Sequence, residues 1–435
     1  MTGVPLTVAP ESLFHTLAAD FSVRPDGTVY VQTGDIPAMW LRDAAAQTLP
    51  YVRFARNRPL LRAWIRGVIA REARNIVRDP YANAFTASYG IWERKWEIDS
   101  LAYPVLLAWT YETATGDRRI FTSRLHRALG LVVATYDCER RHARCSTYHF
   151  AARGETSIRI AAAGTGLIWS AFRASDDPTR YAYNIPEQFQ AIAALRDLAN
   201  LARNGYADRR LAVRASALAN DLERAVRRYG TVFDFPCGGK VYAFEIDGLG
   251  GRFVADDANV PSLLALPLVA DVSIDDPIYH RTRECMLSRR NPYFFRGREA
   301  SGIGSPHTPH GYVWPLALIV RALTSSDRGE ILAQLRTLAR TAGRGNRIHE
   351  SFDPNDRRRF TREEFGWANA MYGELLFRVA AGFGAQSVVI ATTGRRRVLD
   401  SIAVVDEAAA LENRGVLLRA FERAVPLSVV GPESE

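Results

Sequence analysis

Apolar residues recur at helical spacing along most of this chain. The clearest stretches are 59–78, 97–115, 117–136, 187–202, 207–229, 311–324, 326–342 and 364–380. In the first, Leu60, Leu61, Trp64, Val68 and Ile69 mark one face. Steps of three and four residues bring side chains to the same side of a helix, so each stretch is predicted to be a helix packed on a core. Asp99 and Pro104 open one stretch, and Pro186 and Glu187 open another. Proline suits the first helical turn, where its missing N–H has no partner to lose. Strand-like pieces are short: 28–33, 147–150 and 240–247, the last alternating as Val241-Tyr242-Ala243-Phe244-Glu245-Ile246.

A chain with about twelve helices and few strands, whose polar and aromatic motifs fall between the helices, is expected to be all-α. The arrangement predicted is an (α/α) toroid of paired helices with short β pieces in the loops, the loops at one end converging on a central funnel. No fixed sequence period supports a solenoid, and a compact helical bundle is the fallback. No Pro/Gly/Ser-rich linker divides the chain, so 1–382 reads as one domain. Beyond it the texture changes to a strand-like 386–393, the run Gly394-Arg395-Arg396-Arg397 and an Ala/Leu-rich helix at 403–424. Residues 383–435 are therefore a tail or an added packing element.

Composition alters this picture little. With 435 residues, 47% hydrophobic and 24% charged, the chain has material for a large core. The net charge of +9 raises a nucleic-acid partner. However, Lys95 and Lys240 are the only lysines, and the arginines are scattered, with Arg357-Arg358-Arg359 and Arg395-Arg396-Arg397 the densest runs. No nucleic-acid signature accompanies them, so a solvated basic surface is expected. Cys138, Cys145, Cys237 and Cys285 lack C-x-x-C spacing. Cys138 and Cys145 are close enough in sequence to pair, but free thiols are the expectation, and the cysteines fix no compartment. Met1 to Ala19 shows no signal-peptide pattern, which favours a cytoplasmic placement unless the start is truncated, and a monomer is expected. No apolar run reaches membrane-spanning length, so no membrane partner is expected.

Six inter-helix segments carry candidate chemistry. Residues 33–43 combine Trp40, Arg42 and Asp43 around a Pro turn, a mixture suited to a polyhydroxylated ring: the indole takes C–H groups, the charged groups take hydroxyls. A helix entry with Asp35 or Asp43 as cap is the plainer reading. Residues 92–100 place two tryptophans around alternating charges. Asp176-Asp177-Pro178 pairs carboxyls whose repulsion should raise one pKa, making an acid candidate, with a capping turn as the alternative. Asp256-Asp257 precedes Asn259 and Pro261 and looks more like a turn at a helix start than a Ca²⁺ loop. Gly302 to Trp314 contains His307 and His310. His349-Glu350-Ser351-Phe352 offers Glu350 as a base, or as a structural ion pair. His307 and His310 are kept off a helix by Pro306 and Pro309 and lack a third ligand nearby, so no metal is expected. Phosphate-loop, dinucleotide and nucleophile-elbow motifs are missing, so no cofactor is expected.

Taken together, TGDIPAMWLRD (33–43), WERKWEIDSL (92–101), Ser175-Asp176-Asp177, DDANVPSLL (256–264), GIGSPHTP (302–309) and HESFDPND (349–356) resemble glycoside hydrolase family 125. The resemblance runs from Thr33 to Leu376. It implies an (α/α)6 catalytic domain over 1–382 and metal-free, exo-acting hydrolysis of non-reducing-end α-1,6-mannose from oligosaccharides such as N-glycan or mannan fragments, with inversion. It also implies Asp176 as general acid, with Asp177 the close alternative, and Glu350 as general base. Trp40, Arg42, Asp43, His307 and Trp314 are implied around the terminal mannose. Ala174 stands where the family commonly carries Pro, and His310 where an acidic residue is often found. Other readings are a different (α/α)6 glycosidase or phosphorylase of α-glucosides, and a non-catalytic glycan-binding protein.

Overall fold

The computed structural model describes residues 16–150 and 164–380. The tail at 383–435 and its predicted helix lie outside the described residues. The main helices are α1 (Leu41–Thr48), α2 (Pro59–Arg78), α3 (Asp99–Thr115), α4 (Ser123–Glu139), α5 (Ile185–Tyr206), α6 (Arg209–Tyr229), α7 (Leu266–Val269), α8 (Pro277–Met286), α9 (Pro315–Leu323), α10 (Arg328–Thr341) and α11 (Gly366–Ala380).

Odd and even helices differ in where they are buried. Helix α3 is buried on every side from Asp99 to Trp109, as a helix lodged inside a double ring must be. By contrast, α6 buries one stripe (Leu211, Ala212, Ala215, Leu218, Ala219, Leu222, Ala225 and Val226) and turns its arginines to solvent. The odd helices form the inner ring. Helix α1 packs on α3, α3 on α5, α5 on α7, and α9 on α11, which returns to α1. Between α7 and α9 the Ala258 N–H donates to the Gly304 carbonyl. Outer helices lie against the inner ones, α2 on α1 and α3, α4 and α6 on α5, and α10 on α9. The all-α toroid is thus the fold.

Caps fit the sequence. Asn184 caps α5 by accepting from the Glu187 N–H, with Pro186 in the first turn. Pro104, read as an opening residue, sits inside α3, whose start is set at Asp99. The piece at 147–150 is not a strand. Tyr148 is buried there, stacked on Tyr81 at 5.5 Å.

Short antiparallel strands tie loops together at the cavity end. Strands β1 (Met39–Trp40), β2 (Ala84–Phe85) and β3 (Ile91–Glu93) form one sheet, with Trp40 and Glu93 both opposite Ala84. Strands β4 (Ser351–Asp353) and β5 (Asp356–Thr361) form a hairpin. An isolated bridge, with both N–H···O bonds between Val313 and Phe352, holds the segment before α9 beside that hairpin.

The cysteines correct the free-thiol expectation. Cys138 is bonded to Cys145 and Cys237 to Cys285, each with Cα atoms 5.3 Å apart. Among the described residues no helix is long and apolar enough to cross a membrane.

Candidate active site

A cavity of about 320 Å³ opens at one end of the inner ring, within the range of about 300–1,000 Å³ usual for small-molecule sites. All six segments leading into inner helices contribute to its wall. They bring Trp40, Arg42 and Asp43 at α1, Trp92, Glu93 and Lys95 before α3, and Ser175 and Asp176 before α5. Asn259 comes before α7, His307 and Trp314 before α9, and Glu350, Arg362, Phe365 and Trp367 at α11. The first turns of α1 and α11 and the residue capping α9 touch the cavity directly. Helix N-termini carry partial positive charge, which favours the carboxyls gathered there.

Arg42 organises one wall. Its guanidinium donates to Glu97 Oε2 (2.9 Å), Asp99 Oδ2 (3.3 Å), Asp176 Oδ1 (3.1 Å) and Asp43 Oδ1 (3.2 Å), and it lies 5.5 Å from the Trp367 ring centre. Asn83 adds donations to Asp176 (3.1 Å) and Glu97 (3.4 Å). Across the cavity Arg362 pairs with Glu350 (3.4 Å) and Asp35 (2.6 Å) and donates to the Thr33 carbonyl (2.8 Å). The structure therefore places Asp176 and Glu350 in one cavity, each held by an arginine.

The Asp-Asp pair is split by the backbone. Arg173 N–H donates to the Asp177 carbonyl and Asp176 N–H to the Arg173 carbonyl, closing a tight turn with Asp176 at φ +62°. Asp is one of the few residues that adopt this left-handed conformation without a glycine's freedom. The turn points Asp176 into the cavity. Asp177 is left with the Ser175 hydroxyl (2.9 Å) and, at 3.7 Å, His307 Nδ1.

The repulsion argument for a raised pKa in that pair does not describe the structure. Burial does push Asp176 up, but Arg42, a hydrogen bond from Glu97, Lys95 and His307 outweigh it and hold it down to about 2. Glu97 is driven well above the carboxylate range, first by burial and then by the Asp176 charge, with Arg42 opposing. Asp99 rises to about 6, chiefly through burial. His307 is raised, since Asp177, Asp176 and Glu350 together overcome the effect of burial.

Aromatic rings complete the walls. Trp314 is edge-on to Phe365 (5.8 Å), and its indole N–H donates to Thr308 (2.8 Å). The buried indole nitrogens of Trp40 and Trp367 have no partner within the protein. All five residues expected around a sugar, Trp40, Arg42, Asp43, His307 and Trp314, line the cavity. His310 packs edge-on against Phe295 at 5.1 Å. Asp256 caps the segment entering α7 by accepting from the Leu263 and Leu264 amides (2.7 and 2.9 Å), as a turn at a helix start should.

The family model of metal-independent α-mannosidases, family 125, matches residues 7–377. The chain belongs to glycoside hydrolase family 125. This family 125 chain is similar to the meiotically up-regulated gene 157 protein of Schizosaccharomyces pombe, with 38% identity over 80% of this chain and 75% of that protein. It is also similar to a metal-independent α-mannosidase of Streptococcus pneumoniae solved in a non-productive complex with α-1,6-mannobiose. There the identity is 36%, the TM-score 0.80 and the coverage 85% of this chain and 92% of that one. A glucoamylase of Saccharomycopsis fibuligera shares the fold alone, at 12% identity and TM-score 0.61 over 86% and 94% of the two chains. The family 125 chain is thus a glycoside hydrolase of the α-mannosidase class. Among the described residues no cluster of three or more His, Cys, Asp and Glu could hold a metal.

Sequence reasoning missed Glu97, Asn83, Lys95 and Arg362 as site residues. Glu97 lay within a motif already singled out, whereas Asn83 and Arg362 sit in segments with no marked pattern.

Proposed function

We propose that this family 125 protein removes non-reducing-end α-1,6-linked mannose from oligosaccharides, with inversion, using Asp176 as general acid and Glu350 as general base. The observation that carries the reading is that these two carboxyls, from loops far apart in sequence, line one small cavity with Trp40, Trp314, Phe365 and Trp367. Aromatic faces suit the C–H side of a pyranose. The α-1,6 linkage is supported by the mannobiose bound to the Streptococcus pneumoniae relative.

In an inverting reaction the acid protonates the departing glycosidic oxygen while the base removes a proton from the attacking water on the opposite face. Asp176 is favoured over Asp177 as acid because its carboxyl reaches the cavity, whereas Asp177 does not line it. On the other side, Glu350 meets Arg362 through Oε1. Bidentate-capable arginines fix a carboxylate's orientation, which is what a base aimed at one water requires. His307, beside both carboxyls, is placed to donate to a sugar hydroxyl when charged.

The test is a panel of α-1,2-, α-1,3- and α-1,6-mannobioses, with maltose and isomaltose as α-glucoside controls. Release of mannose from the α-1,6 isomer with the others much slower is expected. Preference for an α-glucoside would refute the substrate reading.

A further inference from the structure

Glu97 is fully buried and is not part of the cavity wall. It nevertheless belongs to an unbalanced group of charges centred on Arg42. One guanidinium, Arg42, contacts four carboxyls, Asp43, Glu97, Asp99 and Asp176, all within 3.3 Å. Isolated buried ions are very unfavourable, so a set with one cation and four carboxyls must retain protons at neutral pH.

The contacts point to where one of those protons lies. Glu97 and Asp176 share two donors, Arg42 and Asn83, which sets their carboxyls side by side, and of the two only Glu97 has no exposed surface, so burial favours its neutral form. Asn83 Nδ2 donates to both, at 3.4 and 3.1 Å. Glu97 Oε2 is taken by Arg42 (2.9 Å) and the Ser100 hydroxyl (3.0 Å), leaving Oε1 with the Asn83 amide that also reaches Asp176. Of the other charged groups, Lys95 faces both Glu97 and Asp176, and Glu93 lies next to it, paired with Lys95 at 2.7 Å. Tyr148 approaches Glu97 from behind, and Glu187 stands beyond Asp99.

We propose that Glu97 is a positioning residue that stores the catalytic proton: Glu97 holds it in the free enzyme and passes it to Asp176 when a glycosidic oxygen arrives. The inference rests on Asp176 being the acid. Arriving substrate displaces solvent from Asp176 and gives its carboxyl a new acceptor to serve. The proton moves from the Glu97 carboxyl to Asp176 and on to the leaving oxygen as the C1–O bond breaks. Water forms the new C1–O bond while Glu350 takes its proton. The Glu97–Asp176 pair then regains one proton from solvent, and Glu350 returns one, so the cycle consumes only water. This resolves an opposition within the site, in which Arg42 orients Asp176 but also favours its ionised form.

The experiment compares two substrates in Glu97→Gln. α-1,6-Mannobiose needs its leaving oxygen protonated, whereas α-mannosyl fluoride loses an ion that does not. The glutamine amide donates to Asp176 but supplies no transferable proton. Expected is a fall of about 100-fold or more in kcat on the disaccharide, the scale of lost general-acid catalysis, with a much smaller fall on the fluoride. The alkaline limb of the kcat/KM profile on the disaccharide should also move to lower pH, because the amide stabilises the Asp176 carboxylate. Glu97→Asp, which keeps a carboxyl one methylene further back, should lie between wild type and Glu97→Gln on the disaccharide. It also serves if the glutamine variant fails to fold. Equal losses on both substrates in a folded variant, or undiminished disaccharide turnover, would overturn the inference. Asp176→Asn separates the two levels. If it keeps disaccharide turnover, the acid assignment falls and takes this inference with it. If it loses the disaccharide selectively while Glu97→Gln loses both substrates equally, only the role of Glu97 falls.

Discussion

Replacing Arg42 with methionine removes the cation in contact with four buried carboxyls while keeping much of the side chain's volume. At pH 7 the least costly response is for one further carboxyl to take up a proton. Asp176, which Arg42 helps to keep ionised, is the group that should take it. For a carboxyl with an ordinary pKa near 4, three pH units of protonation cost about 4 kcal/mol. That value falls within the about 3–5 kcal/mol expected when one partner of a buried ion pair is removed. At pH 5 the same uptake costs about 1.4 kcal/mol. Urea unfolding of the full chain at both pH values is the assay. Arg42→Met is expected to lose about 4 kcal/mol at pH 7 and between about 1 and 2 at pH 5. Arg42→Lys should lose less, because an ammonium keeps the charge but cannot fork across all four partners. A loss below about 1 kcal/mol at both pH values, or one that grows on acidification, would refute the charge-balance reasoning.

Glu350→Gln should lower kcat on α-1,6-mannobiose by about 10²–10⁴-fold, the range for a lost general base, while calorimetry still detects mannose binding. Substantial retained turnover would remove Glu350 from the mechanism. Asp256 is raised to about 8, mainly by burial, although the Leu264 and Leu263 amides oppose the rise. A folded-state pKa above the unfolded value of 3.8 gives stability that is complete at acid pH and lost as pH climbs toward 8. The thermal midpoint should therefore fall between pH 5 and 8, and fall less steeply in Asp256→Asn; parallel slopes would contradict the assignment. Opening the Cys237–Cys285 bond, with a separation of 48, should cost about 4 kcal/mol, against about 2.5 for Cys138–Cys145, with a separation of 7. Chemical unfolding of Cys285→Ser and Cys145→Ser variants checks the order, and the reverse order would count against a loop-entropy origin.

Inner helices such as α3 and α5 were legible because they are long and rich in apolar residues, whatever face they present. Helix α8 escaped notice because only Tyr279, Thr282, Cys285 and Met286 are buried, leaving His280, Arg281 and Glu284 to break the pattern. Helix α7 is a single turn in a segment buried throughout, which leaves no period to detect. At the site, Trp40, Arg42, Asp176 and Glu350 were visible as an unusual chemistry of loops. Sequence left Asp176 and Asp177 open, because only the left-handed turn at Asp176 separates their directions. Asn83 and Arg362 take their roles from partners 93 and 12 residues away, respectively. Neighbours brought together by a toroid leave no local trace. The repulsion expected within the Asp-Asp pair was overtaken by an arginine 134 residues from Asp176.

The most direct measurement follows purified protein and α-1,6-mannobiose by proton NMR within the first turnovers, before mutarotation mixes the anomers. The account predicts that the first mannose released is the β-anomer, since water activated by Glu350 attacks opposite the bond that Asp176 protonates. Release of α-mannose first would mean a double displacement, which the assignment of Glu350 as base to a water cannot accommodate.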